Sequence, residues 1–390
     1  MIVDLHAHYP MQLLPADGTE LGRLGDLGPA SVRDWIRALV LRIINDLGNF
    51  PRPGQPALTT DNLLASPVGV ALSVLYSPFD EMDLTKLYGA PPDPVYFTNL
   101  IHQLDTVVNH VNKERAARGD VLRLVTTPGE LAQAVADKKL ALIHAVEGGF
   151  HLGDTVAAVG TNVEALVARG VAYITVAHLF WRQVATNSPA IPFLADNLYR
   201  VIFPEPLSGL TKLGEALIDA MVKHGILIDV THMSEHSLDE TLDYLDGIDA
   251  KGCVPVVATH SACRLKGDHE YNLTDKQIRR IAKRHGVIGL IACKHWMADG
   301  IAKPKTLEDS LELLRLHIDT IHNATGSHDF TAIGSDLDGF IKPTLPGLEF
   351  PMAFSKLQAF LNDHYTPEVA ERICSENALN LLLNYWQRPL

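Results

Sequence analysis

His6 and His8 stand two residues apart where the apolar opening run Ile2-Val3-Asp4-Leu5 ends. Strand side chains alternate, so positions i and i+2 share a face, and two neutral imidazoles on one face can bind a divalent ion. The same conjunction of apolar run and chemically competent residue recurs down the chain. Glu147 precedes Gly148-Gly149, His178 follows Val176-Ala177, His232 and His260 each follow a threonine, and Asp336 lies in Gly334-Ser335-Asp336-Leu337-Asp338-Gly339. A carboxylate at a buried strand end is costly unless paired or metal-bound, and the two oxygens of Glu147 can bridge two ions. The glycines after it let the backbone bend close to a ligand. His232 and His260 end consecutive strands and can share one metal, whereas His178 can polarise a substrate oxygen. Asp336 can take a proton from an attacking metal-bound water and return it to a leaving amine. Asp338, two residues on, reads equally as a turn former or as a partner of that group.

Other histidines read as structural. His144 has the opposite strand parity to Glu147, and Lys223-His224-Gly225 and Arg284-His285-Gly286 have the form of helix C-termini. His232-Met233-Ser234-Glu235-His236 matches the inverted zinc-peptidase pattern, which needs both histidines on one helix. Here the run 226–230 reads as a strand reaching His232, and Ser237 with Glu240 reads as a capping box that starts the helix later. Glycine-rich nucleotide loops and Gly-x-Ser-x-Gly are absent.

The elements that must position these residues are short apolar runs at 2–5, 68–75, 140–146, 171–177, 226–230, 254–259, 287–292 and 331–335. Most are nearly continuous in Val, Ile, Leu and Ala, as in parallel strands buried on both faces. Helical periodicity is read over 31–47, 99–117, 130–136, 162–168, 213–222 and 275–284. Eight strand–helix repeats predict an α/β fold, a (β/α)8 TIM barrel in one domain over residues 1–390, with a doubly wound open sheet as the alternative. The segments 9–62, 77–96 and 180–211 exceed simple connections; each follows a strand and is expected over the C-terminal mouth, where barrel active sites form.

Composition bounds the partners. Lys and Arg total 33 against 46 Asp and Glu, a net charge of −13, which disfavours nucleic acid and anionic membrane surfaces. No signal-like or membrane-spanning apolar stretch is evident, and the four cysteines form no Cys-x-x-Cys pair, so a reducing, cytoplasmic setting is expected.

The motifs Val146-Glu147-Gly148-Gly149, Asp229-Val230-Thr231-His232-Met233-Ser234, Thr259-His260-Ser261 and Gly334-Ser335-Asp336-Leu337-Asp338-Gly339, in this order, resemble the renal (membrane) dipeptidases, the M19 peptidases of the amidohydrolase superfamily. The resemblance spans nearly the whole chain, to Glu376-Asn377-Ala378-Leu379. It implies two Zn2+ ions, one held by His6 and position 8, the other by His232 and His260, with Glu147 bridging. It further implies substrate contact by His178, a catalytic role for Asp336 beside the metals, and a homodimer. Two residues depart from the pattern. His8 replaces the usual aspartate, leaving the site one negative charge poorer, and Tyr271 replaces the arginine that receives a dipeptide carboxylate, with Arg264 and Arg182 as candidates to supply that charge. The expected activity is zinc-dependent hydrolysis of small dipeptides, with a D-residue allowed at the C-terminal position, by a metal-bridging hydroxide. The alternatives are hydrolysis of another small amide, lactam or N-acyl amino acid, and a catalytically silent metal-binding scaffold.

Overall fold

The structure, a computed structural model, describes residues 1–13, 43, 45–83, 86–192, 194–206 and 209–389. Its strands are β1 (Ile2–Ala7), β2 (Val68–Leu75), β3 (Leu122–Leu124), β4 (Leu140–Glu147), β5 (Tyr173–Thr175), β6 (Leu227–Asp229), β7 (Val256–Ser261), β8 (Ile288–Leu290) and β9 (Thr331–Ile333). Every pairing is parallel, and β2–β4 and β1–β9 contacts close eight of them into a barrel. The ninth, β3, has no counterpart among the runs read from sequence. It pairs with β4 at Leu140–Leu142, on the edge that β5 takes only from Val146 onward, and so fills the gap beneath a short strand.

Around the barrel run α1 (Pro94–Arg118), α2 (Pro128–Ala136), α3 (Val156–Val167), α4 (Lys212–His224), α5 (Glu235–Ile248), α6 (Asp275–Lys283), α7 (Leu307–Thr325) and α8 (Asn377–Tyr385). Several start on a hydroxyl that accepts an amide of the first turn: Thr127, Thr155, Thr211, Ser234, Thr274 and Thr306. The helix expected over 31–47 lies, apart from its last residues, outside the described residues. The α5 start differs from the expectation. Ser234, not Ser237, is the cap, so the helix begins at Glu235, immediately after the turn that carries His232. His232 is therefore outside the helix while His236 is exposed on it and paired with Glu240, which removes the geometry of the inverted peptidase motif.

Alternation divides the core in two. Val3, Leu5, Val70, Leu72, Val74, Ala141, Ile143, Ala145, Tyr173, Leu227, Val257 and Ala332 pack inside the barrel, while Ile2, Ala71, Leu142, Val146, Ile228, Val256 and Ala258 face the helices. Strict alternation from Val3 and Leu5 would turn His6 outward. Between Asp4 and Ala7, however, β1 carries one residue more than β2, and between Ala258 and Ser261 β7 carries one more than β8. Such bulges re-aim side chains at barrel rims. Here they shift the phase of both strands so that His6, His8 and His260 turn into the mouth.

Trp386, after α8, is fully buried in the interior cluster and donates its indole N–H to the Val171 carbonyl at 3.2 Å, sealing the N-terminal end of the barrel. Trp386→Ala should cost about 3–5 kcal/mol of unfolding free energy, read by denaturant titration, because the cavity lies among strands that cannot collapse.

Candidate metal centre

At the C-terminal mouth the residues singled out from sequence meet. Glu147, the last residue of β4, is the hub. Its Oε1 lies 3.3 Å from Nε2 of His6, 3.3 Å from Nε2 of His260, 3.4 Å from Nε2 of His178 and 3.5 Å from Nε2 of His232. Its Oε2 lies 3.5 Å from His8 Nε2, which in turn is 3.0 Å from Asp336 Oδ1. All seven side chains are buried. Three triads within this group, His6-Glu147-His260, His6-His8-Asp336 and Glu147-His178-His232, each bring one donor atom apiece within 4.8 Å of the others.

Two of these residues have left-handed backbones, His232 at φ 69° and Asp336 at φ 55°, a conformation held only where the surroundings enforce it. The Ser188 amide donates to the His232 carbonyl at 2.7 Å, strapping the insertion after β5 onto this turn, and the Asp336 amide donates to the His6 carbonyl at 2.9 Å. Gly148, at φ 100°, releases the chain sideways after Glu147. Asp338, also left-handed, accepts the amides of Ala57 and Leu58 at 2.8 Å each, which makes it a clamp on the segment before β2.

Beneath the hub lies a support that sequence reading missed. Asp229, at the end of β6, accepts five hydrogen bonds, from Thr231 N and Oγ1, Thr259 N and Oγ1, and Thr175 Oγ1. Because the Thr259 hydroxyl donates its single proton to Asp229 at 2.7 Å, it meets His6 Nδ1 (3.1 Å) and His260 Nδ1 (3.0 Å) only as an acceptor. Both contacts then place the ring proton on Nδ1, which His6 shares between Thr259 and the Tyr173 hydroxyl at 2.8 Å, and leave Nε2 toward the hub. The visible sign was the repeated Thr-His pair, with an acid on an inward strand position.

Electrostatics agree with this donor set. Burial opposes the Glu147 carboxylate, but His178 and His6, with hydrogen bonds from His232 and His6, hold it well below the usual range. Burial, reinforced by neighbouring imidazoles, keeps His260 and His232 low and therefore neutral. Burial would also lower His6, yet Glu147 and Asp336 raise it; a proton on its Nε2 would sit where a cation would. His6 Nε2 and Asp336 Oδ1 are buried without an aligned hydrogen bond despite their close neighbours. Imidazole nitrogens and carboxylates converging on unmet donor atoms suit divalent cations, and His6, His8, Glu147, His232, His260 and Asp336 could hold them.

The remaining candidates behave differently. Tyr271 donates its hydroxyl to the His260 carbonyl at 2.5 Å, and its ring packs 5.1 Å from that of His232 and 4.7 Å from Trp296. Arg264 pairs with Glu235 at 2.9 Å. Arg182 is buried, with its guanidinium on the carbonyls of Glu81, Ala90 and Asp80. His144 is buried on the outer face of β4, where desolvation lowers it to about 3.

The model of the membrane dipeptidase family, peptidase family M19, matches residues 58–384. The chain belongs to this family. It is accordingly a metal-dependent hydrolase of the dipeptidase class. An uncharacterized Klebsiella pneumoniae protein in the pqqA 5' region is 29% identical over 307 residues, covering 76% of this chain and 99% of that one. Mouse dipeptidase 3 is 28% identical over 227 residues, 56% of this chain and 38% of its own length. A Rhodobacter sphaeroides metallopeptidase, solved with a phosphinate mimic of L-Ala-D-Ala, shares the fold at TM-score 0.68 and 20% identity, with 99% of each chain covered.

If Thr259 fixes two ligand tautomers, Thr259→Val should weaken metal affinity ~10- to 100-fold in chelator competition, with the far-UV spectrum unchanged. Unaltered affinity would refute the assignment.

Proposed function

We propose that the chain hydrolyses the amide bond of small dipeptides with two zinc ions at the hub, His6 and His8 on one side, His232 and His260 on the other, and Glu147 between. The observation that carries this reading is the convergence of five imidazole Nε2 atoms on one buried carboxylate, with a second carboxylate alongside. Bound zinc would supply Lewis acidity toward the scissile carbonyl and lower the pKa of the attacking water to roughly 7. His178 Nε2, facing the hub, is placed to hydrogen-bond the substrate oxygen as charge develops on it. Asp336, 7% exposed and 3.0 Å from His8, holds the proton removed during attack and delivers it to the departing nitrogen. The barrel interior below is closed by apolar side chains, which keeps bulk water to the mouth.

A second reading, hydrolysis of another small amide, lactam or N-acyl amino acid, is favoured by Tyr271. With its hydroxyl on the His260 carbonyl and its ring between His232 and Trp296, it brings the site no fixed positive charge for a dipeptide carboxylate. The L-Ala-D-Ala mimic bound by the Rhodobacter sphaeroides protein directs attention to L-D pairs. A cytoplasmic homodimer belongs to the same proposal; the four unpaired cysteines and the family resemblance support it.

The test is hydrolysis of a dipeptide panel including L-D pairs by protein reconstituted with zinc. Turnover that disappears in metal-free protein and falls at least ~10²-fold in Asp336→Asn, at unchanged metal content, is the expected result. Full activity in Asp336→Asn would remove the proton-carrying role. Two bound metals with no dipeptide turnover would select the second reading.

A further inference from the structure

We propose that Glu81 is a positioning residue that holds the Nδ1–H and the aim of His178, an assignment that rests on the substrate-facing role given to His178 above. Glu81 ends a short helix, Pro78–Glu81, in the insertion after β2, whereas His178 follows β5. The two are 97 residues apart, and no sequence pattern links them. The Glu81 side chain is fully buried, and its Oε2 lies 2.9 Å from His178 Nδ1.

Two further donors converge on the same carboxylate. The Tyr76 hydroxyl donates to Oε2 at 3.0 Å and the Phe180 amide donates to Oε1 at 3.0 Å, while the Arg182 Nε–H holds the Glu81 backbone carbonyl. Donors on both oxygens match an ionised, acceptor-only carboxylate, so the Nδ1 contact requires that His178 carry a proton there. The Nε2 edge is thereby the one presented to the hub, 3.4 Å from Glu147 Oε1. Tyr76 and His232 rings meet His178 edge-on, at 4.4 Å and 73° and at 4.5 Å and 78°, so the ring cannot rotate out of this plane without displacing one of them. Glu81 thus holds Nδ1 of His178, as Thr259 holds Nδ1 of His6 and His260, and turns the Nε2 edge to the hub. The difference is that a full negative charge now backs the ring, which favours a second proton on Nε2, the donor that a substrate oxygen requires.

A carboxylate tying two insertions together could also be a mere clamp, and the experiment separates the two. Nitrogen-15 histidine spectra of the zinc-reconstituted protein, assigned with His178→Gln, should show His178 protonated on Nδ1. In Glu81→Gln, whose amide cannot accept from both neighbours, that signature should be lost. On whichever amide the panel identifies, Glu81→Gln should lower kcat ~10- to 100-fold with KM little changed, and should change kcat by less than about twofold when introduced into His178→Gln. Tyr76→Phe, which removes one donor and keeps the packing, should give a smaller loss that also vanishes in the His178→Gln background. An unchanged His178 signature in Glu81→Gln, or equal losses in both backgrounds together with a lower Tm, would overturn the proposal. The spectra need no substrate, so they decide the role of Glu81 even if dipeptide hydrolysis fails.

Discussion

The constraint on which this structure turns is the burial of the Glu147 carboxylate at the centre of a closed barrel. An isolated carboxylate there would cost several kcal/mol or give up its charge. It keeps its charge because five imidazoles point nitrogen atoms at it and Asp336 completes the ring from the far side. Burial pushes two of those imidazoles, His232 and His260, toward neutrality, so charge and lone pairs are left facing one another with unmet atoms between them. A cation is the species that satisfies both. The centre is built for something carried in rather than for self-satisfaction, whereas the carboxylates of Asp229 and Glu81 behind it are, by contrast, well paired.

That contrast lies in how the ligands are aimed. Each ring has two nitrogens, and a ring whose proton sits on the wrong one offers nothing to a metal. Asp229 resolves this for two rings at once by taking the only proton of Thr259, and an independent carboxylate, Glu81, backs the substrate-facing ring of His178. Backbone irregularity does the rest. Bulges in β1 and β7 break alternation at the ligand positions, and left-handed residues at 232 and 336 end their strands abruptly. The energy stored in those turns is offset by ordinary hydrogen bonds from Ser188 and to His6, so the strain is local and the barrel below stays regular.

This division also decides what was legible in the sequence. Continuous apolar runs marked all eight barrel strands, since strands covered on both faces need no alternation. Residues at their ends marked the hub for the same reason: a His or acid there interrupts an apolar pattern. What stayed hidden depends on partners far apart in the chain. β3 is too short to carry a pattern, and it exists because β5 begins high on the edge of β4. Glu81 is one acid in an acidic loop until folding brings His178 against it. The cap of α5 was misplaced because Ser237 with Glu240 has the right spacing, yet the left-handed turn at His232 makes Ser234 the first residue able to cap. Even the His6–His8 pairing holds through a device that alternation does not contain, since without the bulge the same spacing would have aimed both rings at the helices.

Tyr271 shows how one position can serve both sides of such a centre. An arginine there would bring a fixed charge beside His232 and His260, in competition with any cation between them. The tyrosine instead adds a ring against His232, a stack on Trp296 and a hydrogen bond to the backbone of His260. It therefore stiffens the very residues that would hold a metal. His8, without the negative charge an acid would bring, shifts the balance the other way. The two departures are electrically matched: losing a cation at the substrate wall and an anion at the hub leaves the sum over the mouth where it was.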